Sequence, residues 1–151
     1  HSAEAVLKRR EAAELEVLGW REWLTLPELG IARIKAKVDS GARSSALHTS
    51  SLETVGTNRV RFAVRPLQTS TSLQWCEAEL LDWRWVTDSG GHRELRPFIR
   101  TEVVLGGARW PVEVSLTARD TMRFRMLLGR TALAGRVTID PQASYLAKAR
   151  G

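Results

Sequence analysis

Short runs of strand-forming residues, separated by Gly, Pro, Asp and Ser, recur along this chain. In the clearest run, Ile31 to Val38, apolar residues alternate with Arg and Lys at the period of two that marks a half-buried strand. Similar runs occupy residues 17–26, 58–66, 74–86, 93–105, 108–116 and 137–139. Short strands at regular spacing predict an all-β fold, closed or sandwich-like, with one short helix at 131–133.

The 151 residues are enough for one domain with a sizeable core. Residues 1–16 are rich in Ala, Glu, Leu and Arg, which predicts a helical N-terminal arm outside that core, with a flexible terminus as the alternative. We therefore expect an arm at 1–16, a folded domain at 17–146 and a tail at 147–151. No run approaches the roughly 18 apolar residues of a membrane span. No signal peptide is visible, so the expected compartment is the cytoplasm.

The net charge of +6 fits either an ordinary soluble basic domain or a domain with an acidic partner, which would be nucleic acid or an acidic peptide. The arginines are scattered along the sequence, and glutamates surround the one local basic cluster, Lys8-Arg9-Arg10. The sequence therefore does not predict a nucleic-acid surface. Six tryptophans lie in the predicted strands, and we expect them to pack in the core or at a dimer interface.

The segment Asp39-Ser40-Gly41-Ala42 directly follows the alternating strand. A carboxylate at the end of a buried strand is costly unless it is hydrogen bonded. Gly41 would let backbone amides approach that carboxylate closely, and Ser40 supplies a hydroxyl that can hold the loop. On its own, however, an Asp-Ser-Gly tripeptide is typical of an ordinary turn.

Two further segments accompany this loop. Thr87 to His92, with a glycine-rich centre, joins two strand runs and predicts the tip of a long β-hairpin. Leu127-Leu128-Gly129-Arg130 precedes the short helix. Together with the Asp39 loop, these segments resemble the retropepsins, the single-lobe aspartic peptidases that act as homodimers.

A closer resemblance runs from Gly19-Trp20-Arg21-Glu22-Trp23 to Ala46-Leu47-His48. This stretch is similar to a bacterial family that is often labelled ATP-dependent zinc protease and includes the RimB-type proteins. The resemblance covers roughly residues 17–146 and implies a single-lobe, closed β-barrel with a flap hairpin. It also implies a homodimer with Asp39 of each subunit as the catalytic carboxylate.

The resemblance assigns further roles residue by residue. The active-site loop would be Ser40, Gly41 and Ala42. The residues expected to bind substrate, in that loop and in the flap, are Arg43, Ser44, Ser89, Gly90, Gly91 and His92. The residues expected to support the site are Leu127, Leu128, Gly129 and Arg130.

The implied activity is that of an aspartic endopeptidase. Two carboxylates at close range share one proton, so that one activates a water and the other protonates the substrate carbonyl. This chemistry needs no metal and no cofactor. The zinc and ATP of the family label find no support in the sequence, which has neither a recognisable set of zinc ligands nor a phosphate-binding glycine loop.

One position departs from the viral retropepsins. There the residue after Asp-Thr-Gly-Ala is usually acidic and pairs with the arginine after the apolar-apolar-Gly element. Here that residue is Arg43, which would repel Arg130, so Arg130 must find another acid or face solvent. RimB-type proteins are associated with glutamate tails, and our hypothesis is that Arg43 binds an acidic side chain of the substrate. A structural ion pair within the subunit is the alternative role for Arg43.

A second Asp-Ser-Gly occurs at Asp88-Ser89-Gly90 and could be the second half of a two-lobe enzyme. Each lobe needs its own apolar-apolar-Gly element, however, and none lies between Asp39 and Asp88. We therefore expect Asp88 to lie at the hairpin tip. The alternative function for the whole chain is a non-catalytic basic β-barrel that binds an acidic partner or RNA.

Overall fold

The computed structural model describes residues 16–67, 71–88, 90–118 and 124–147. One turn of 3-10 helix, Pro27–Leu29, and one short α-helix, α1 (Arg130–Leu133), occur in these ranges. The strands there are β1 (Glu16–Leu18), β2 (Arg21–Leu26), β3 (Ile31–Val38), β4 (Ser45–His48), β5 (Ser51–Val55), β6 (Arg59–Val64), β7 (Gln74–Glu79), β8 (Asp82–Thr87), β9 (Arg93–Leu105), β10 (Ala108–Thr117), β11 (Met126–Leu128) and β12 (Val137–Ile139).

Six of these strands form a closed ring. They are hydrogen bonded in the order β10-β4-β11-β3-β2-β9, and the pairing of β9 with β10 closes the ring. Strand β8 extends the sheet from β9, β5-β6-β7 form a separate antiparallel sheet, and β1 pairs with β12 in parallel. The predicted all-β, single-lobe closed barrel with one short helix is confirmed.

The alternation along β3 separates the core from the surface. Ile34 and Ala36 are fully buried, whereas Arg33 and Lys37 on the opposite face are exposed. This is the burial pattern expected when one face of a strand packs inside a closed sheet. The core that these inward faces build includes Leu24, Leu26, Leu47, Phe62, Ile99, Val103, Trp110, Val114 and Leu128.

Strand β11 separates two strands that follow each other in the chain. It lies between β3 and β4, parallel to β3 and antiparallel to β4. In this register Leu128 is opposite Val38, and Leu127 is opposite Ala46. The end of β11 therefore lies beside the loop that connects β3 to β4.

Two predicted runs are each two strands, and the single-strand predictions were wrong. The run 17–26 breaks at Gly19, where a Cβ atom would clash with the carbonyl oxygen of Ala143. The run 74–86 breaks because its middle residues bond to different sheets. Leu80 donates its amide to the carbonyl oxygen of Asn58, in the turn between β5 and β6, and Leu81 donates its amide to the carbonyl oxygen of Phe98 in the ring.

Residues beside both predicted domain boundaries contact the folded domain. Residues 1–15 of the predicted helical arm lie outside the described residues, and Glu16 is the first residue of strand β1. At the other end, the amide of Ala147 donates to the carboxylate of Glu22 over 3.1 Å. The first residue of the predicted tail is therefore attached to the folded domain.

Candidate active site

The carboxylate of Asp39 lies just beyond the end of β3, and main-chain bonds fix its position. The amide of Asp39 donates to the carbonyl oxygen of Leu128 over 2.9 Å, which continues the parallel ladder between β3 and β11. The amide of Ala42 donates back to the carbonyl oxygen of Asp39 over 3.2 Å. The Asp39 side chain is partly exposed, so a solvent molecule or substrate can reach it.

One oxygen of this carboxylate is hydrogen bonded to its own loop. Asp39 Oδ1 accepts the amide of Gly41 at 2.9 Å, and a Cβ atom on Gly41 would lie only 3.1 Å from that oxygen. The other oxygen has no hydrogen-bond partner among the described residues. The carboxylate is thus oriented by one contact, with an oxygen left to bind water.

The segment after β11 supports the loop from the other side. The amide of Arg130 donates to the carbonyl oxygen of Ala42 over 2.7 Å. Thr131 donates both its amide and its hydroxyl to the carbonyl oxygen of Arg43, each over 3.0 Å. The start of α1 therefore holds the loop that follows Asp39.

Gly129 lies very close to the main chain of Ser44. A Cβ atom there would lie 2.5 Å from the carbonyl carbon and oxygen of Ser44, so another residue would displace the main chain. The Gly129 amide donates to the fully buried hydroxyl oxygen of Ser45 over 3.0 Å. Sequence reasoning missed Ser45 because it lies in a serine-rich stretch that is typical of a turn.

Two arginines beside the loop carry uncompensated charge. The side chains of Arg43 and Arg130 are exposed, and neither forms an ion pair with a described residue. Arg130 thus faces solvent, which was one of its two expected outcomes. The structural ion pair proposed as the alternative role of Arg43 does not form within the described part of the chain.

Asp88 closes the tip of the β8–β9 hairpin, as predicted from its sequence position. Its Oδ1 accepts the amides of Gly90 at 3.0 Å and His92 at 2.9 Å. Gly91 has a φ of +81°, a conformation that favours glycine. Ser89 lies outside the described residues. The carboxylate of Asp88 is thus part of a turn.

This hairpin extends beyond the ring. Residues 98–105 of β9 pair with β10, whereas residues 93–97 pair with β8 alone in the described part of the chain. The extension leaves Trp83 and Trp85 exposed by 47% and 59%. Trp75, on the separate sheet, is also exposed, and Trp110 is buried. Trp75, Trp83 and Trp85 therefore do not pack in the core of the protomer, and their packing at a dimer interface, the other expected position, stays a prediction.

The described residues contain no group of three or more His, Cys, Asp or Glu side chains arranged to hold a metal ion. The helices in the same ranges are too short to cross a membrane. Burial raises the pKa of the Cys76 thiol to about 11, which keeps this cysteine protonated at neutral pH.

A closed six-stranded ring, with an aspartate loop fixed by a strand inserted between its neighbours, defines a single-lobe β-barrel of the retropepsin-like class. The chain belongs to the RimB-like family, described as retropepsin-like aspartic endopeptidase RimB, which matches residues 17–150.

Curated relatives of the chain carry a different name. A protein of Parasynechococcus marenigrum named probable alpha-L-glutamate ligase is 44% identical over 85% of this chain. One from Shewanella pealeana with the same name is 39% identical over 89% of the chain. The matches cover 28% and 30% of those proteins, so the chain spans less than a third of their length.

A solved structure shares the fold. The crystal structure of a protein of unknown function from Legionella pneumophila matches with a TM-score of 0.72 and 26% identity. The match covers 88% of this chain and 98% of that protein.

Proposed function

We propose that this chain is one protomer of a homodimeric aspartic endopeptidase with Asp39 as its catalytic residue. The observation that carries the proposal is the bracing of the Asp39 loop, in which Leu128, Gly129 and Arg130 all bond to the loop or to the strand that follows it. Such rigid support is what a catalytic group requires. The family description is consistent with the same reaction.

A second protomer would supply the second carboxylate. Ser40 and Gly41 are exposed, and Asp39 is partly exposed, so the loop is open to contact in a single protomer. A two-fold axis through this loop would bring two Asp39 side chains together. Two carboxylates at such close range hold one proton between them.

The reaction then follows from the shared proton. The ionised carboxylate takes a proton from a water molecule, whose oxygen attacks the carbonyl carbon of the peptide. The protonated carboxylate gives its proton to the carbonyl oxygen. The carbon–nitrogen bond then breaks as the first carboxylate gives the proton taken from water to the leaving amine, while the second takes a proton back from a hydroxyl of the intermediate. The projecting β8–β9 hairpin would act as a flap that shields this step from solvent.

We further propose that the substrate is acidic and that Arg43 contributes to its recognition. The carbonyl oxygen of Arg43 is held by Thr131, which fixes the backbone, while its guanidinium is exposed and free of any described acid. A guanidinium matches a carboxylate in geometry and in charge.

The decisive experiment is the hydrolysis of an unstructured, glutamate-containing peptide at mildly acidic pH. Asp39→Asn should abolish cleavage, whereas Asp88→Asn should retain it because Asp88 closes a turn. If the wild-type protein binds the peptide but does not cleave it, the result would instead favour the non-catalytic binding module. An equal loss of peptide cleavage in the two variants would contradict the assignment of Asp39.

A further inference from the structure

The outward face of β3 leads directly to Asp39. Strand β3 ends at Val38, but the amide of Val38 donates to Trp20 over 2.8 Å and that of Asp39 donates to Leu128 over 2.9 Å. Asp39 thus continues the strand, and its side chain lies on the same face as that of Lys37, about 7 Å along. The burial pattern agrees, since Val38 is buried and Lys37 is exposed.

A second cation lies opposite Lys37. Arg21 of β2 is its register partner, and directly opposite residues share a face of the sheet. Neither side chain forms an ion pair with a described residue. Like charges in this position repel and lower stability. The arrangement is therefore one that an anion placed between the two cations would stabilise.

The guanidinium of Arg21 is held in place rather than free to move away. Its central carbon lies 4.7 Å from the ring centroid of Trp20 and 5.0 Å from that of Tyr145. Its Nε donates to the hydroxyl of Ser144 over 3.2 Å. Its two terminal nitrogens donate no hydrogen bond to a described residue, which leaves them available to a ligand.

The buried carboxylate of Glu22 fixes the segment that holds Arg21. This fully buried side chain accepts the amides of Gly19 at 2.7 Å, Leu146 at 2.9 Å and Ala147 at 3.1 Å. Ser144 and Tyr145 lie immediately before two of these donors. Arg21 is thus preorganised through contacts that reach the core of the domain.

We propose that Lys37 and Arg21 form a subsite that binds a carboxylate of the substrate next to the scissile bond. The inference rests on the proposed function, because the subsite serves the reaction at Asp39. It assigns specificity to the face of β2 and β3, in addition to the contribution of Arg43 from the loop. Because Lys37 is two residues from Asp39, the bound carboxylate would belong to a residue close to the cleaved peptide bond.

The test compares two peptides that differ only by Glu or Gln at the positions beside the cleaved bond. Lys37→Met should lower the ratio of their kcat/KM values by about tenfold or more, mainly by slowing cleavage of the Glu peptide. Arg33→Met is the matched control, because Arg33 lies on the same face of β3 but stacks on Trp23 at 3.9 Å and is farther from Asp39. This control should leave the ratio unchanged. Lys37→Glu should favour the Gln peptide.

A binding measurement separates this inference from the proposed function. Fluorescence anisotropy of the labelled peptides with Asp39→Asn protein should show tighter binding of the Glu peptide, and adding Lys37→Met should remove the difference. If the wild type binds in this way but cuts neither peptide, the subsite stands and the peptidase assignment fails. An unchanged Glu-to-Gln ratio in Lys37→Met, or no preference in the Asp39→Asn protein, would overturn the subsite. Circular dichroism should show that each variant is folded.

Discussion

The amide of Asp39 donates to the carbonyl oxygen of Leu128, which joins the end of β3 to the end of β11 over 2.9 Å. Leu128 lies far from Asp39 in the sequence, yet this hydrogen bond fixes the position of the Asp39 main chain relative to β11. Gly129 and Arg130, the next two residues, bond to Ser45 and Ala42 on the other side of the loop. A change in β11 should therefore affect Asp39 without touching its side chain.

Gly129→Ala tests this coupling. The added methyl would lie 2.5 Å from the main chain of Ser44. We therefore expect the free energy of unfolding to fall by about 1–3 kcal/mol and the peptidase activity to be lost. Gly90→Ala is a suitable control for stability, because its Cβ would lie 3.4 Å from the Asp88 carboxylate. Urea denaturation measures the free energy of unfolding of both variants. Equal stability of the two would contradict the tight contact at Gly129.

Mixed dimers test whether two protomers share one site. When wild type is refolded with an excess of Asp39→Asn protein, most wild-type chains should pair with a partner that lacks the carboxylate. Activity per wild-type chain should then fall steeply as the excess increases. The same excess of Asp88→Asn protein should cause no such fall. Activity that stays proportional to the amount of wild-type chain would show that one protomer suffices.

Arg43→Ala tests acidic recognition by the loop. We expect the preference for acidic over neutral peptides to fall by about tenfold, since a charge-assisted contact is lost. Arg43→Glu should reverse the preference. Arg136→Ala is a matched control, because this exposed arginine lies 5.7 Å from the ring centroid of Trp110, beyond the end of α1. An unchanged preference in both Arg43 variants would refute the hypothesis.

Glu22→Gln tests the attachment of the C-terminal segment. The amide replaces one acceptor oxygen with a donor, which leaves at least one of the three bonded main-chain N–H groups without its partner. The free energy of unfolding should fall by about 1–3 kcal/mol. Glu77→Gln, which breaks an exposed ion pair with Arg59, should cost less than about 1 kcal/mol. Thermal or urea unfolding compares the two, and a larger loss for Glu77→Gln would be inconsistent with this role.

The buried thiol of Cys76 gives a prediction with a definite pH dependence. Its pKa is raised from 9.0 to about 11, so alkylation by iodoacetamide at pH 8 should be slow in the native protein and fast in urea. Between these two values the unfolded chain ionises while the folded one does not. This contribution to stability is complete below pH 9 and is lost as the pH rises toward 11. Cys76→Ser should remove that part of the alkaline loss.

Local patterns predicted those parts of the molecule in which local sequence determines the structure. The alternation from Ile31 to Val38 indicated β3, the glycines after Asp88 indicated a hairpin tip, and residues 137–139 were correctly predicted as a strand. Strands β4 and β5 were missed because their polar, serine-rich sequence is also typical of turns.

Contacts between distant segments lay beyond such patterns. Gly19 lies at a break between two strands that pair in different sheets, and Ser45 matters because Gly129 reaches it. The exposure of Trp83 and Trp85 likewise follows from a hairpin that extends past the ring. Each of these features depends on which segments the ring brings together, and that information is spread over the whole chain.

The insertion of β11 between β3 and β4 also constrains the order in which the protein can fold. The two strands that flank the Asp39 loop have no direct hydrogen-bonded pairing, so the ring stays open until residues 126–128 arrive. Closure over such a long sequence separation is slow, because chain entropy is lost before the contacts form. During synthesis, the aspartate loop would therefore acquire its final geometry only after residues 126–128 have been made. A ribosome-bound chain that stops before Met126 would carry Asp39 without an ordered active site.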